Sequence, residues 1–75
     1  MKYKIYTMQG CAPCSVLKVR IKEVLTENEY EFIDLLENRV NDLRIRSVPT
    51  LILDNKIYTG VFNILNAITD DKNKQ

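Results

Sequence analysis

The two cysteines of this 75-residue chain stand three residues apart, in the stretch Gly10-Cys11-Ala12-Pro13-Cys14, and the chain has no others. The segment before them, Tyr3 to Thr7, is rich in aromatic and β-branched residues, which favours a strand. Apolar residues then recur at the spacing of a helix, at Leu17, Ile21, Val24 and Leu25. Pro13 suits the first turn of a helix, where a missing N–H costs little. The pair is therefore predicted at a strand-to-helix junction, with Cys11 at the helix N-terminus.

This position favours thiol chemistry at Cys11. The first N–H groups of a helix have no partners within the helix, and their partial positive charge favours a thiolate over a thiol. Cys14 lies one turn further along, on the side of Leu17, and is expected to be more buried. We therefore interpret Cys11 as the candidate nucleophile and Cys14 as the thiol that resolves a mixed disulfide.

Other roles for the pair are weaker but stay open. In the chain-entropy model, a bridge that closes a four-residue loop stabilises a fold by only about 2 kcal/mol. A zinc site needs about four ligands, and one chain with two cysteines and no histidine cannot build a Cys/His site, although two chains could pool their thiolates. The third alternative is a pair of core cysteines that happen to lie three residues apart.

Composition and charge narrow the classes of partner. The 11 basic and 10 acidic residues are interleaved and give a net charge of +1, so no electrostatic footprint for nucleic acid or a membrane surface is present. No apolar run has the length of a signal peptide core or a membrane span, so we expect a cytoplasmic protein. In a reducing compartment a C-x-x-C pair is more often catalytic or metal-binding than structural.

The chain has room for one domain, residues 1–75, and we expect a monomer with a frayed polar tail over 70–75. The first helix is predicted from about Ala12 to Thr26, and the alternation over 30–35 predicts a second strand, parallel to the first. Leu36, Val40 and Leu43 favour a short helix over 37–45.

A hairpin and a last helix complete the predicted order. Residues 50–53 and 57–59 flank Asp54-Asn55-Lys56, which is a hairpin signal. Apolar residues from Val61 to Ile68 predict the last helix, with Asn63 as its candidate cap. The predicted fold is α/β, in the order β-α-β-α-β-β-α, with a four-stranded mixed sheet covered by helices on both faces.

This order, with C-x-x-C at the first strand-to-helix junction and Ser47-Val48-Pro49-Thr50 before the third strand, resembles the thioredoxin-like fold in its short, glutaredoxin-sized form. The stretch 45–51 resembles the thioredoxin segment that contains a cis-proline. The chain length and the ending 59–64 are more similar to glutaredoxins and to the small redoxins that serve ribonucleotide reductase. The resemblance covers residues 2 to about 69.

The resemblance implies an enzyme of the electron-carrier type, a protein dithiol-disulfide oxidoreductase with Cys11 and Cys14 as its catalytic pair and with no cofactor or bound metal. It implies a cis Val48-Pro49 bond and a Val48 backbone that pairs with the substrate chain as an added strand. A glycine at position 60 would leave room for a partner beside the disulfide. The implied substrate-binding residues are Ala12, Pro13, Val48, Pro49 and Gly60.

Departures from the family patterns bear on the electron donor. Gly10 stands where thioredoxins carry tryptophan, and the strand before it lacks their buried acid. Glutaredoxins have a lysine before the cysteines and a Gly-Gly followed by an acidic pair that holds glutathione, whereas this chain has Met8-Gln9 and, at 60–63, Gly-Val-Phe-Asn. The expected donor is therefore a flavin-dependent thioredoxin reductase.

The expected substrates are disulfide-containing proteins, with ribonucleotide reductase among the candidates. The alternatives are a glutathione-dependent glutaredoxin, a metal or iron-sulfur carrier that uses Cys11 from two chains, and a pure binding module.

Overall fold

The computed structural model describes residues 3–74, and within them the chain forms a four-stranded mixed sheet and two α-helices. The strand order across the sheet is β2-β1-β3-β4, with β1 parallel to β2 and antiparallel to β3. The predicted mixed sheet and the predicted parallel pair are thus confirmed. The strands are β1 (Tyr3–Thr7), β2 (Tyr30–Asp34), β3 (Thr50–Leu53) and β4 (Lys56–Thr59), and the helices are α1 (Ala12–Arg20) and α2 (Val61–Asn73).

Helix α1 begins directly after Cys11, as predicted, but it ends earlier than the sequence suggests. It stops at Arg20 and continues as a single 3₁₀ turn over Ile21–Glu23. Thr26 does not extend the helix, because it caps a second 3₁₀ turn: its backbone N–H donates to Glu29 Oε1 at 2.8 Å in a capping box. A threonine side chain that bonds locally competes with helix continuation.

The core is one apolar layer between the sheet and both helices. Side chains from the two helices and from the central strands are fully buried in one cluster, with Leu17 and Ile21 on α1, Ile64 and Ile68 on α2, and Ile5 and Leu51 on β1 and β3. The two helices also contact each other. Both therefore lie on the same face of the sheet, and the prediction of helices on both faces is wrong.

The predicted helix over 37–45 is also wrong, because residues 35–49 form turns and irregular structure. The Asp34 side chain favours a turn, because it accepts a hydrogen bond from the backbone N–H of Leu36 at 2.8 Å. Asp42 does the same for the N–H of Arg44 at 3.0 Å. A nine-residue helix is marginal without an apolar surface to pack on. Leu36 and Leu43 have none, being 64% and 88% exposed.

This irregular segment comes near the second face of the sheet at Arg44, which interacts electrostatically with Tyr6 of β1. The side chain of Arg44 pairs with the Asp42 carboxylate at 2.7 Å. Hydrogen bonds from the Arg44 side chain and backbone lower the pKa of Asp42 to about 2. The same pairing is the main reason that the pKa of Arg44 is raised, and Tyr6 of β1 adds a smaller contribution. Tyr6 projects from the face opposite the core, since its neighbours Ile5 and Thr7 point into the core.

The β3–β4 hairpin forms as predicted, but α2 differs from its prediction at both ends. Asp54 and Asn55 have φ of 51° and 67°, the left-handed values of a two-residue hairpin turn. Gly60 is the N-cap of α2, so the interpretation of Asn63 as the cap is wrong. The Asn63 side chain lies within the first turn and donates to the Thr59 carbonyl at 2.9 Å.

Residues 70–73, expected in a frayed tail, belong to α2, and Gln75 lies outside the described residues. Two contacts hold this end of the helix: the Tyr3 hydroxyl donates to Asp71, and Lys72 Nζ lies 2.9 Å from Glu29 Oε2. Neither helix of residues 3–74 has the length and apolar character that a membrane crossing requires.

Two substitutions in α1 test whether only one face of this helix packs against the core. Leu17→Ala should lower the free energy of unfolding by about 2–5 kcal/mol, because it empties a fully buried site. Val19→Ala, on the same helix at 69% exposure, should change it by less than about 0.5 kcal/mol. Urea denaturation of the two variants in parallel measures both values, and equal losses would contradict this packing.

Candidate active site

The sulfur of Cys11 caps helix α1. Cys11 has an extended backbone, with φ of −88° and ψ of 112°, and its Sγ accepts a hydrogen bond from the backbone N–H of Cys14 at 3.2 Å. A serine or aspartate oxygen makes this contact in an ordinary N-cap. Because the N–H and the helix dipole both point at this atom, a negative charge on the sulfur is stabilised here.

The two sulfurs of the pair differ in access to solvent. They lie at disulfide-bonding distance, with Cα atoms 5.2 Å apart, inside the usual range for such a bridge. Cys14 is 2% exposed, whereas Cys11 is partly exposed, which is the predicted order. Ala12 and Pro13, between them, are exposed. An incoming molecule therefore meets Cys11 first.

The turn that leads into the pair depends on Gly10. The backbone N–H of Cys11 donates to the Met8 carbonyl at 3.3 Å, which closes the turn between β1 and α1. Gly10 has φ of +80°, a backbone angle that residues other than glycine rarely adopt. The short turn fixes Cys11 at the edge of the sheet, beside the start of β3.

The predicted Val48–Pro49 segment lies against the thiol pair. The Val48 carbonyl oxygen is 3.8 Å from Cys11 Sγ, and the Val48–Pro49 peptide bond is cis, as the resemblance implies. The Thr50 hydroxyl donates to the Ser47 carbonyl and closes the turn around this bond. A backbone segment 37 residues away in sequence thus forms one wall of the site.

Gly60 joins the same cluster through its backbone. Its N–H donates to the Pro49 carbonyl at 3.2 Å, and it has φ of 86° and ψ of 155°. A Cβ atom built at this position would meet no other atom within 4 Å, so the space around it is open. The conformation alone requires glycine, a constraint that the sequence pattern did not reveal. All the predicted site residues are thus either in the C-x-x-C turn or in contact with the Val48–Pro49 segment.

A groove of about 290 Å³ lies next to Val48 and was not predicted. Its walls come from the turn after β1, from the end of β2 and from the irregular segment, so no single stretch of sequence marks it. The lining residues are Met8, Leu35, Ile45, Arg46, Ser47 and Val48.

Within residues 3–74, no cluster of three or more histidine, cysteine, aspartate or glutamate side chains is arranged to hold a metal ion. In comparisons with known proteins, no family model, no curated protein and no solved structure gives a significant match to this chain. The functional interpretation therefore depends on the residues and geometry described above.

Substituting Gly60 should test the conformational requirement. Gly60→Ala should lower the free energy of unfolding by about 1–3 kcal/mol, because an L-residue is strained at these angles even though its methyl group meets open space. A synthetic chain with D-alanine at position 60 is the matched control, since it carries the same methyl group and favours positive φ. If both variants lose stability equally, crowding rather than backbone strain is the cause.

Proposed function

We propose that this chain is a thioredoxin-like protein dithiol-disulfide oxidoreductase. One observation carries the proposal: the partly exposed Cys11 sulfur accepts the Cys14 N–H at the start of α1, and the buried Cys14 sulfur lies at bonding distance from it. This arrangement stabilises a thiolate on the accessible atom and keeps a second thiol beside it.

The reaction follows from the difference in access between the two sulfurs. The Cys11 thiolate attacks one sulfur of a substrate disulfide; that bond breaks, and the departing substrate thiolate takes a proton from water. A mixed disulfide now joins Cys11 to the substrate. Cys14 gives its thiol proton to water and its thiolate attacks Cys11 Sγ; the mixed disulfide breaks, and the second substrate sulfur leaves as a thiolate that takes a proton from water. Two electrons have passed from the pair to the substrate, and the Cys11–Cys14 disulfide has formed.

The Val48 backbone supports a protein rather than a small molecule as the substrate. Its carbonyl lies beside Cys11 Sγ, and Val48 is only partly buried. An extended substrate segment could pair with this backbone, which would place its disulfide next to Cys11. The groove next to Val48 has apolar walls from Met8, Leu35 and Ile45 that would accept a side chain flanking the substrate cysteine. Recognition would then depend mainly on backbone contacts and would be permissive.

The sheet also supports the thioredoxin-like part of the proposal. The parallel β1–β2 pair, followed by an antiparallel β3–β4 hairpin on the other side of β1, brings the C-x-x-C turn and the residue before Pro49 to the same edge. The proposal includes a cytoplasmic location, because a reducing compartment maintains such a pair as a dithiol. It also includes reduction of the pair by a flavin-dependent reductase.

The two cysteines should behave differently towards alkylation. In the reduced protein at pH 7, iodoacetamide should modify Cys11 much faster than Cys14, because Cys11 is the more exposed and caps the helix. Peptide mass spectrometry of samples quenched over time gives both rates. Faster labelling of Cys14 would reverse the assigned roles.

The single-cysteine variants should separate attack from resolution. Cys11→Ser should abolish disulfide reduction in an insulin assay, whereas Cys14→Ser should accumulate a mixed disulfide with the substrate. Ser15→Ala, a matched change on the same helical turn, should retain activity because Ser15 is exposed and its hydroxyl donates a long hydrogen bond, 3.4 Å, to the Cys11 carbonyl. Normal turnover by Cys14→Ser would exclude the dithiol mechanism.

The electron donor is tested by comparing two donors on one preparation. Thioredoxin reductase with NADPH should reduce the oxidised protein efficiently, and glutathione mixed disulfides should be poor substrates, because Met8-Gln9 and Phe62-Asn63 stand where glutaredoxins carry a lysine and an acidic pair. The assay follows NADPH oxidation at 340 nm with each coupled system. Efficient reduction by millimolar glutathione, with negligible reductase coupling, would favour the glutaredoxin alternative.

A further inference from the structure

One buried hydroxyl next to the active site is left without a partner. Thr7, at the end of β1, is 1% exposed, and its Oγ1 has no hydrogen-bond partner among residues 3–74. Thr50, equally buried, donates its hydroxyl to the Ser47 carbonyl. Buried hydroxyls are normally paired, so the exception at Thr7 needs a physical reason. The backbone of Thr7 does not provide it, because its carbonyl accepts from Leu35 N–H at 2.9 Å in the ordinary way.

The geometry of β1 and α1 brings this hydroxyl towards Cys14. Because β1 and β2 are parallel, α1 must run back across the sheet, antiparallel to β1. Leu17 and Ile5 both belong to the buried core cluster between the two elements and provide a common reference point. Cys14 precedes Leu17 by three helical residues, about 4.5 Å towards the site. Thr7 follows Ile5 by two strand residues, about 6.6 Å in the same direction. Both are buried on the sides of α1 and β1 that face each other.

In this oxidised structure the Cys14 sulfur is bonded to Cys11 and is not a hydrogen-bond partner of Thr7 Oγ1. In the disulfide, the Cys14 sulfur is a neutral and weak acceptor, held towards Cys11. In the reduced protein the same sulfur is a thiol or a thiolate, and a thiolate is a strong acceptor for an O–H donor.

We propose that Thr7 is a positioning residue for the resolving thiol: in the reduced protein its hydroxyl donates a hydrogen bond to the Cys14 sulfur. This inference rests on the redox function proposed above.

The redox step and its consequence follow directly. When an external dithiol reduces the pair, two electrons enter the Cys11–Cys14 bond, the bond breaks, and the reductant becomes a disulfide. The two protons of the product thiols come from the two thiols of the reductant, and Thr7 keeps its own proton. A hydrogen bond that exists only in the reduced state lowers the free energy of that state alone. Thr7 therefore makes the pair easier to reduce, and it stabilises the Cys14 thiolate that attacks the mixed disulfide.

The test uses Thr7→Val, which keeps the shape of the side chain and removes the hydroxyl. The protein is equilibrated with mixtures of reduced and oxidised dithiothreitol at fixed pH, and the dithiol fraction is measured by alkylation and mass shift. The equilibrium should move about tenfold towards the disulfide, which corresponds to a potential about 30 mV more negative. Thr7→Ser, which keeps the hydroxyl, should stay close to the unsubstituted protein. Thr69→Val, an exposed site on α2 whose hydroxyl donates to the Leu65 carbonyl, should not shift it.

A second readout separates positioning from simple packing. Thr7→Val should leave the oxidised protein at least as stable to urea, since an unpaired buried hydroxyl has been removed, and it should destabilise the reduced protein. A packing defect would lower the stability of both states alike. Such a parallel loss, an unchanged equilibrium in Thr7→Val, or a Thr7→Ser variant shifted as far as Thr7→Val would overturn the inference while leaving the function intact. If the unsubstituted protein shows no reversible Cys11–Cys14 couple, the proposed function itself fails.

Discussion

The parallel pairing of β1 with β2 determines where the thiols lie. Two parallel neighbours cannot be joined by a tight turn, so the chain must cross back over one face of the sheet, and α1 makes that crossing. The helix consequently starts at the side of the sheet where β1 ends, and Cys11 is its N-cap residue. The antiparallel β3 begins at that same side, because its Thr50 pairs with Tyr6 near the end of β1. The two pairings of β1 together therefore bring the Cys11 sulfur and the Val48 carbonyl to the same place.

Most of the sheet could be predicted from the sequence, and the irregular segment could not. The strands and the hairpin carry local signals: β-branched and aromatic runs, and the Asp54-Asn55 turn. The apolar residues at 36, 40 and 43 have equally good helical spacing, yet spacing alone does not show whether a surface exists to receive them. In the fold, both helices share one face, and Leu43 remains in solvent. Competition from Asp34 and Asp42, whose side chains bond nearby N–H groups, then decides for turns.

The candidate site likewise has residues that the local sequence predicts and features that depend on tertiary structure. Cys11, Cys14 and Pro13 form a local pattern, and the position of Cys11 at the helix start follows from residues within one turn. The groove next to Val48 and the unpaired hydroxyl of Thr7 arise only when distant segments meet, so no local sequence pattern predicts them. Thr7 in a strand looks like any β-branched residue. Its burial next to a second element, which is a property of tertiary structure, distinguishes it from an ordinary strand threonine.

The irregular connection over 35–49 is also the part of this fold that should best tolerate an insertion. Its ends are pinned, at Asp34 by the turn after β2 and at Val48 by the contact with Cys11, while Arg39 and Asn41 between them are exposed. The entropic cost of a flexible loop rises slowly, by about 0.6 kcal/mol for each doubling of its length. A recognition helix or an epitope added near Arg39 would thus extend over the face of the sheet that neither helix covers, without displacing either anchor. The thiol chemistry at one edge and the shape of that face could be varied independently, in evolution or by engineering.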